Sequence, residues 1–249
     1  MADHVNLSAI ATSFPTLETL SCTETNSLSG SLQELDRLQI LRIGTSAAGS
    51  PTIQPWLPLR SAETLTKLNL DFHDVGIPFF DTDSLDTFIN LKSLHIGPLC
   101  DSICDFIIRA QIQLDVFEAK VLRRYAPISK FVDMLRAECL RNLKKFELSN
   151  HRDDTSDRHA TARYWALVFD AFTSMLPSVE EVQLDAPLQL RCCEYFARME
   201  NLKILNWDGS ANPHFCGRTN YPKAKAEKAL HAAFANFREK PQFAVHLII

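Results

Sequence analysis

One phrase recurs along this chain: an apolar residue, two variable residues, an apolar residue, one variable residue, an apolar residue. It reads Leu17-x-x-Leu20-x-Cys22, Leu38-x-x-Leu41-x-Ile43, Leu65-x-x-Leu68-x-Leu70 and Leu91-x-x-Leu94-x-Ile96. It continues as Leu114-x-x-Phe117-x-Ala119, Leu143-x-x-Phe146-x-Leu148, Val179-x-x-Val182-x-Leu184 and Leu202-x-x-Leu205-x-Trp207. Successive starts lie 21, 27, 26, 23, 29, 36 and 23 residues apart. Such a period is the mark of an array in which each unit buries its apolar side against the next. An array needs no single central core, so residues 1–249 read as one domain of about eight or nine repeats.

The fourth and sixth positions of each phrase are two apart, and side chains of a strand alternate in direction. Leu68 and Leu70 therefore point inward, and Lys67, Asn69 and Asp71 outward. Stacked repeats give one parallel sheet, with the chain returning along the opposite side. Apolar residues at helical spacing predict returns over Ser102–Ile112, Ile128–Leu140 and Ala160–Met175, with a shorter one around Tyr195, Phe196 and Met199. Gly44–Leu59, with Pro51, Pro55 and Pro58, reads as an irregular loop. Residues 222–249 read as a cap: a helix over Ala224–Phe237 with Leu230, Phe234 and Phe237 on one face, then a last buried strand from Phe243. The fold class is α/β, an irregular solenoid with strands on its concave face and helices or loops on its convex face.

The phrases resemble the leucine-rich repeats of the ribonuclease-inhibitor-like superfamily. Segments such as "FINLKSLHIGPL", "LRNLKKFELS" and "MENLKILNWDGS" look most like fungal F-box/leucine-rich-repeat proteins. The resemblance implies a horseshoe that holds a protein partner on its concave face, as the substrate-recognition part of a ubiquitin ligase receptor does. No F-box is visible before Leu17, so a Skp-type adaptor and cullin are expected only with an F-box upstream. The regular repeat also carries Asn three positions after the third apolar residue. Here those positions are Thr25, Ser46, His73, Leu99, Leu122, His151, Pro187 and Ser210, so the usual amide ladder is not expected. A GTPase-activating or other regulatory protein of the superfamily is the alternative, against which the apolar Ile248-Ile249 end counts.

The outward positions expected to meet a partner are Lys67, Asn69, Asp71, His95, Glu118, Lys145, Glu147, Glu181, Gln183, Asp185, Asn206 and Asp208. The last three repeats set Glu147, Glu181, Asp185 and Asp208 against Lys145, which favours a basic segment of another protein. A net charge of −4 argues against general binding of nucleic acid or of anionic membranes. No apolar run approaches the roughly 18 residues of a membrane span. The N-terminus lacks the pattern of a secretory signal, and the seven cysteines are odd in number and irregular in spacing. A reduced, monomeric protein of the cytoplasm or nucleus is expected.

Candidates for chemistry are few. His151, Asp153, Asp154, Asp157 and His159 crowd one polar segment without a ligand spacing, which reads as a solvated loop. Cys100, Cys104, Cys192 and Cys193 lack the paired spacing of zinc sites and read as structural. The basic residues Lys223, Lys225, Lys228, Arg238 and Lys240 read as the solvated side of the cap helix. No nucleophile, metal, Walker or dinucleotide motif is present, so no enzyme activity, cofactor or metal is expected.

Overall fold

A computed structural model describes residues 4–25, 27–45, 63–72, 88–99, 101–109, 112–121, 128–150, 158–186, 190–208, 223–235 and 242–246. In chain order these form β1 (His4–Asn6), α1 (Leu7–Ser13), β2 (Thr19–Thr25), β3 (Ser27–Ser29), β4 (Ile40–Thr45), β5 (Lys67–Phe72) and β6 (Ser93–Leu99). There follow α2 (Asp101–Arg109), β7 (Val116–Val121), α3 (Ile128–Leu135), β8 (Lys145–Asn150), α4 (Arg158–Met175), β9 (Glu181–Asp185), β10 (Ile204–Asp208), α5 (Lys223–Ala233) and β11 (Gln242–His246). Two 3-10 segments, Glu138–Leu140 and Leu190–Arg198, complete the described elements.

Nine strands, β2 and β4 through β11, form one sheet in sequence order, each pair parallel. The register follows the phrase. Leu20, Leu41, Leu68, Leu94, Phe117, Phe146, Val182, Leu205 and Phe243 stand side by side, one per strand. A one-residue slip in any strand would turn its apolar row to the other face. The fourth-position residues from Leu20 to Leu205 and the sixth-position residues from Ile43 to Trp207 are buried. Cys22, in the edge strand, is only partly covered.

Return segments pack on that apolar face. Phe172 of α4 meets Phe146 of β8 with ring centres 5.1 Å apart, and Phe169 meets Trp207 of β10 at 5.2 Å. Phe196 of the second 3-10 segment packs on Phe169, Phe172 and Trp207, and Trp207 Nε1 donates to the carbonyl of Ala186 at 3.0 Å. Each return lies beside the next: α2 on α3, α3 on α4, and the second 3-10 segment between α4 and α5.

Several boundaries differ from those read in the sequence. The helix expected to run to Leu140 stops at Leu135, because Ala137 takes extended backbone (φ −60°, ψ 140°) and a separate 3-10 turn follows. The helix expected to reach Ile112 is described as far as Arg109, and Ile112 is buried outside helical structure. The short return around Tyr195 is 3-10 rather than α. Leu230 and Phe234 of the cap are buried, as their spacing predicts. Gly44 and Thr45 belong to β4 and His159 to α4 rather than to loops, and Phe237, residues 46–59 and His151–Asp157 lie outside the described residues.

The N-terminal unit has no counterpart in the repeat pattern. Asn6 caps α1 by accepting from the Ala9 amide at 3.1 Å. β1 pairs in parallel with β3, and Leu7 and Ala11 of α1 are fully buried. Gly30, at φ +87°, brings its turn onto Ser8, whose hydroxyl accepts from the Ser31 amide at 2.8 Å. A Cβ at Gly30 would stand 2.6 Å from Ser8 Oγ, so this turn requires glycine.

Two ladders hold the starts of the strands in line. The carbonyl of the second residue in each phrase accepts two amides from the next phrase. Glu18 takes Gln39 and Ile40, Gln39 takes Thr66 and Lys67, and the pattern continues without a break to Glu180, which takes Lys203 and Ile204. Beside it, the polar residue just before the phrase reaches back one repeat. Thr64 Oγ1 donates to the Leu38 carbonyl at 2.8 Å, and Asn90 Nδ2 to that of Glu63 at 2.6 Å. Ser178 Oγ donates to the Arg141 carbonyl at 2.8 Å, and Asn201 Nδ2 to that of Pro177 at 3.0 Å. Asn142 Nδ2 instead meets the Gln113 side chain at 3.2 Å. A side-chain ladder therefore exists, at the opposite end of the strands from the position of the regular amide ladder.

Candidate functional site

The face of the sheet opposite the helices carries every residue expected to meet a partner. Lys67, Asn69, Asp71, His95, Glu118, Lys145, Glu147, Glu181, Gln183, Asp185, Asn206 and Asp208 are all partly exposed, each alternating with a buried neighbour along β5 to β10. Strand register sorts them into rows. One row runs Lys67, Ser93, Val116, Lys145, Glu181 and Ile204. The next runs Arg42, Asn69, His95, Glu118, Glu147, Gln183 and Asn206. In a third, Lys120, Ser149, Asp185 and Asp208 stand abreast on β7 to β10, and Asp71 faces Gly97 on β5 and β6.

This face is more fully paired within itself than a count of charges suggests. His95 Nδ1 donates to Glu118 Oε2 at 2.8 Å. That hydrogen bond holds the Glu118 carboxyl below its ordinary range, against the opposing effect of burial. Lys145 stands between two carboxylates, 3.1 Å from Glu181 and 3.9 Å from Glu147. Burial pulls the Lys145 ammonium down, but its hydrogen bond to Glu181 and the nearby Glu181, Glu147 and Glu118 charges outweigh that and raise it. The acidic cluster of the last repeats thus already holds its lysine.

Glu147 is the least compensated of these groups. It is the register partner of Glu118, whose charge is committed to His95, and Lys145 leans toward Glu181. Burial pushes its carboxyl above the ordinary value, and the Glu118 charge adds to the rise. Like charges directly opposite on neighbouring strands cost about 0.2–1 kcal/mol. Glu147→Gln should therefore raise stability by that much at pH 7, as measured by urea denaturation. The folded carboxyl titrates above its unfolded value, so the advantage shrinks as pH falls through that interval. It is gone once the carboxyl is protonated in both states. A variant no more stable than the wild type at pH 7 would show that the pair is relaxed.

Gly97 carries no signal in the repeated phrase itself, and Lys120 stands at the outward position that Asp71 holds in its own repeat. Lys120 Nζ reaches Asp71 Oδ2 at 2.5 Å, across the intervening strand β6. It can do so because residue 97 is glycine: a Cβ there would stand 2.8 Å from Lys120 Cδ and 3.0 Å from Asp71 Oδ1. The signal available in the sequence is a glycine in mid-strand, which marks a close approach. Beside this bridge, Asn69 Oδ1 and His95 Nε2 are buried with no hydrogen-bond partner among the described residues. They belong to register partners on β5 and β6. No group of three metal-ligating side chains occurs among the described residues, and no described helix is long and apolar enough to cross a membrane.

No protein-family model matches the chain, and no curated protein does. Among solved structures, a leucine-rich-repeat protein of Leptospira interrogans is similar at 14% identity and a TM-score of 0.34, over the whole of this chain. This chain spans 66% of that protein's length.

Proposed function

We infer that this is a leucine-rich-repeat module of horseshoe form that binds another protein on the polar face of its sheet and carries out no reaction itself. One observation supports this most: aligned rows of partly exposed polar side chains cross β5 to β10 on the face away from the helices. Such a face offers many moderate contacts over a broad area, as a protein surface requires. Asp185 and Asp208 extend the acidic half of this face, and Arg42, Lys67 and Lys120 bring cations to the other half. A partner segment with basic residues toward β9 and β10 matches that polarity. By resemblance, the partner is the client of a ubiquitin ligase receptor, and the protein works in the cytoplasm or nucleus.

Reversing the acidic half tests this reading. The chain, tagged in its own cells, is purified as wild type and as Glu181→Lys/Asp185→Lys. A partner recovered by the wild type and lost from the variant, with unchanged circular dichroism, is expected. Equal recovery by both forms would remove the acidic face from the binding site. Skp-type adaptor and cullin subunits in the same eluate would assign the module to a ligase, and a client without them would make it a free-standing scaffold.

A further inference from the structure

The polar face of the sheet neutralises its own middle. His95 on β6 holds Glu118 on β7, and Lys120 on β7 holds Asp71 on β5. On β8 and β9, Lys145 is shared between Glu181 and Glu147. Two cations toward β4 and β5 are left over. Arg42 and Lys67 are partly exposed, and neither side chain forms a hydrogen bond or ion pair among the described residues. Lys67 acts on Glu118 through its field alone.

Strand register explains why these two are left. Arg42 stands beside Ser21 and Asn69, and Lys67 beside Ile40 and Ser93, so no register partner of either is acidic. Asp71, diagonal to Arg42, is already bound by Lys120, whose chain reaches it over Gly97. Arg42 and Lys67 are themselves diagonal on adjacent strands, which puts their backbones about 7–8 Å apart. Like charges at that distance repel, and anions laid over them remove the repulsion. Side chains at alternate positions of an extended chain stand about 6.6–6.8 Å apart on one face, a spacing that matches this pair. From the pair to Glu181 and Asp185 on β9 is four to five strand spacings, roughly 20 Å.

We propose that Arg42 and Lys67 form a carboxylate subsite that takes two Asp or Glu residues at alternate positions of an extended segment of a partner protein. This rests on the reading of the polar face as a protein-binding surface. The same segment continues across the strands and lays its basic residues on β9 and β10, at least about six residues further along. Its charges run opposite to those of the face beneath it, which fixes which end lies over which strands. Singly charged carboxylates suit two separated cations, whereas a phosphate concentrates its charge at one point. The planar fork of Arg42 can hold one carboxylate by two parallel hydrogen bonds, and Lys67 holds the other as a point charge.

The probes are three acetylated and amidated peptides: Glu-Ser-Glu, Lys-Ser-Lys, and the two joined by about eight Gly and Ser residues. Each is titrated at low salt into the isotopically labelled full chain. Glu-Ser-Glu should saturate and shift the amide resonances of Arg42 and Lys67 and the Arg42 Nε–H, and Gln-Ser-Gln should not. The joined peptide should bind about tenfold or more tightly than either half and shift β9 as well. Arg42→Gln/Lys67→Gln should return it to the affinity of Lys-Ser-Lys. Arg37→Gln/Lys92→Gln, an equal loss of charge outside the strands, should not. Failure of Lys-Ser-Lys alone would remove the basic segment and leave the carboxylate subsite standing on Glu-Ser-Glu. Absence of saturation by Glu-Ser-Glu, shifts that spare Arg42 and Lys67, or equal losses in the two double variants would overturn the proposal. A phosphoserine peptide that saturates where Glu-Ser-Glu does not would give the pair to phosphate and overturn the carboxylate assignment. A joined peptide no tighter than its halves, when each half binds by itself, would overturn the single spanning segment.

Discussion

Phe169→Ala should lower the stability of the protein by about 3–5 kcal/mol, the range for removing a fully buried aromatic ring. Phe169 lies on α4 with no exposed surface. Its ring centre is 5.7 Å from Trp165, 5.9 Å from Phe172, 6.2 Å from Phe196 and 5.2 Å from Trp207. These neighbours come from α4, the second 3-10 segment and β10, so one ring joins two consecutive repeats. The cavity left by alanine would be walled by rigid rings on several sides, and rings close a void poorly. Urea denaturation followed by circular dichroism and by tryptophan fluorescence measures the loss. Because Trp165 and Trp207 line the cavity, the fluorescence of the folded state should change as well. A loss below about 1 kcal/mol would mean that the repeats here are held by something other than this cluster.

Gly44→Ala comes next, with an expected cost of about 1–3 kcal/mol, the range for overpacking. Gly44 is the register partner of Asp71 on the next strand. A Cβ at Gly44 would stand 2.8 Å from the Asp71 carbonyl oxygen, which is backbone and cannot swing aside. Either β4 or β5 must shift, and both are paired on two sides. Gly97→Ala makes the contrast. Its closest contact, also 2.8 Å, is to the flexible chain of Lys120, so that variant should lose the bridge to Asp71 and little else. Exposed ion pairs contribute about 0–1 kcal/mol. Thermal or urea unfolding of the two variants side by side should place Gly44→Ala well below Gly97→Ala. The reverse order would contradict the backbone contact.

The strands are legible in the sequence because their signal is local and repeated. Leu68 and Leu70 announce themselves by alternation, and eight copies of one phrase fix a register that no single copy could. The outward placement of Glu118, Glu147 and Glu181 follows from the same alternation. Alternation says nothing of the reach of side chains between strands. His95 and Glu118 lie 23 residues apart and Asp71 and Lys120 lie 49 apart, and both pairs form only when the register has closed. The end of α3 at Leu135 is hidden because the apolar spacing continues past Ala137 while the helical backbone does not. The side-chain ladder is written in three phrases as Asn-Leu, at Asn90, Asn142 and Asn201, but away from the end where the regular repeat keeps its asparagine. β1 and α1 leave no trace because three residues of strand and seven of helix are too short to show a period.

The two ladders at the strand starts also bear on how such a chain can change over time. Alignment is set where each strand begins, so the length of each return is released from any duty to keep it. The interval after Leu143 contains an 18-residue helix, and the interval after Leu17 is only 21 residues long, yet both deliver the next strand to the same line. Insertions and deletions in the returns can accumulate without disturbing the sheet, while the few residues from Asn201 to Leu205 and their equivalents tolerate none. Sequences descended from a common array could then drift far apart in total length and in their returns, and remain alike only in a short stretch at the head of each repeat.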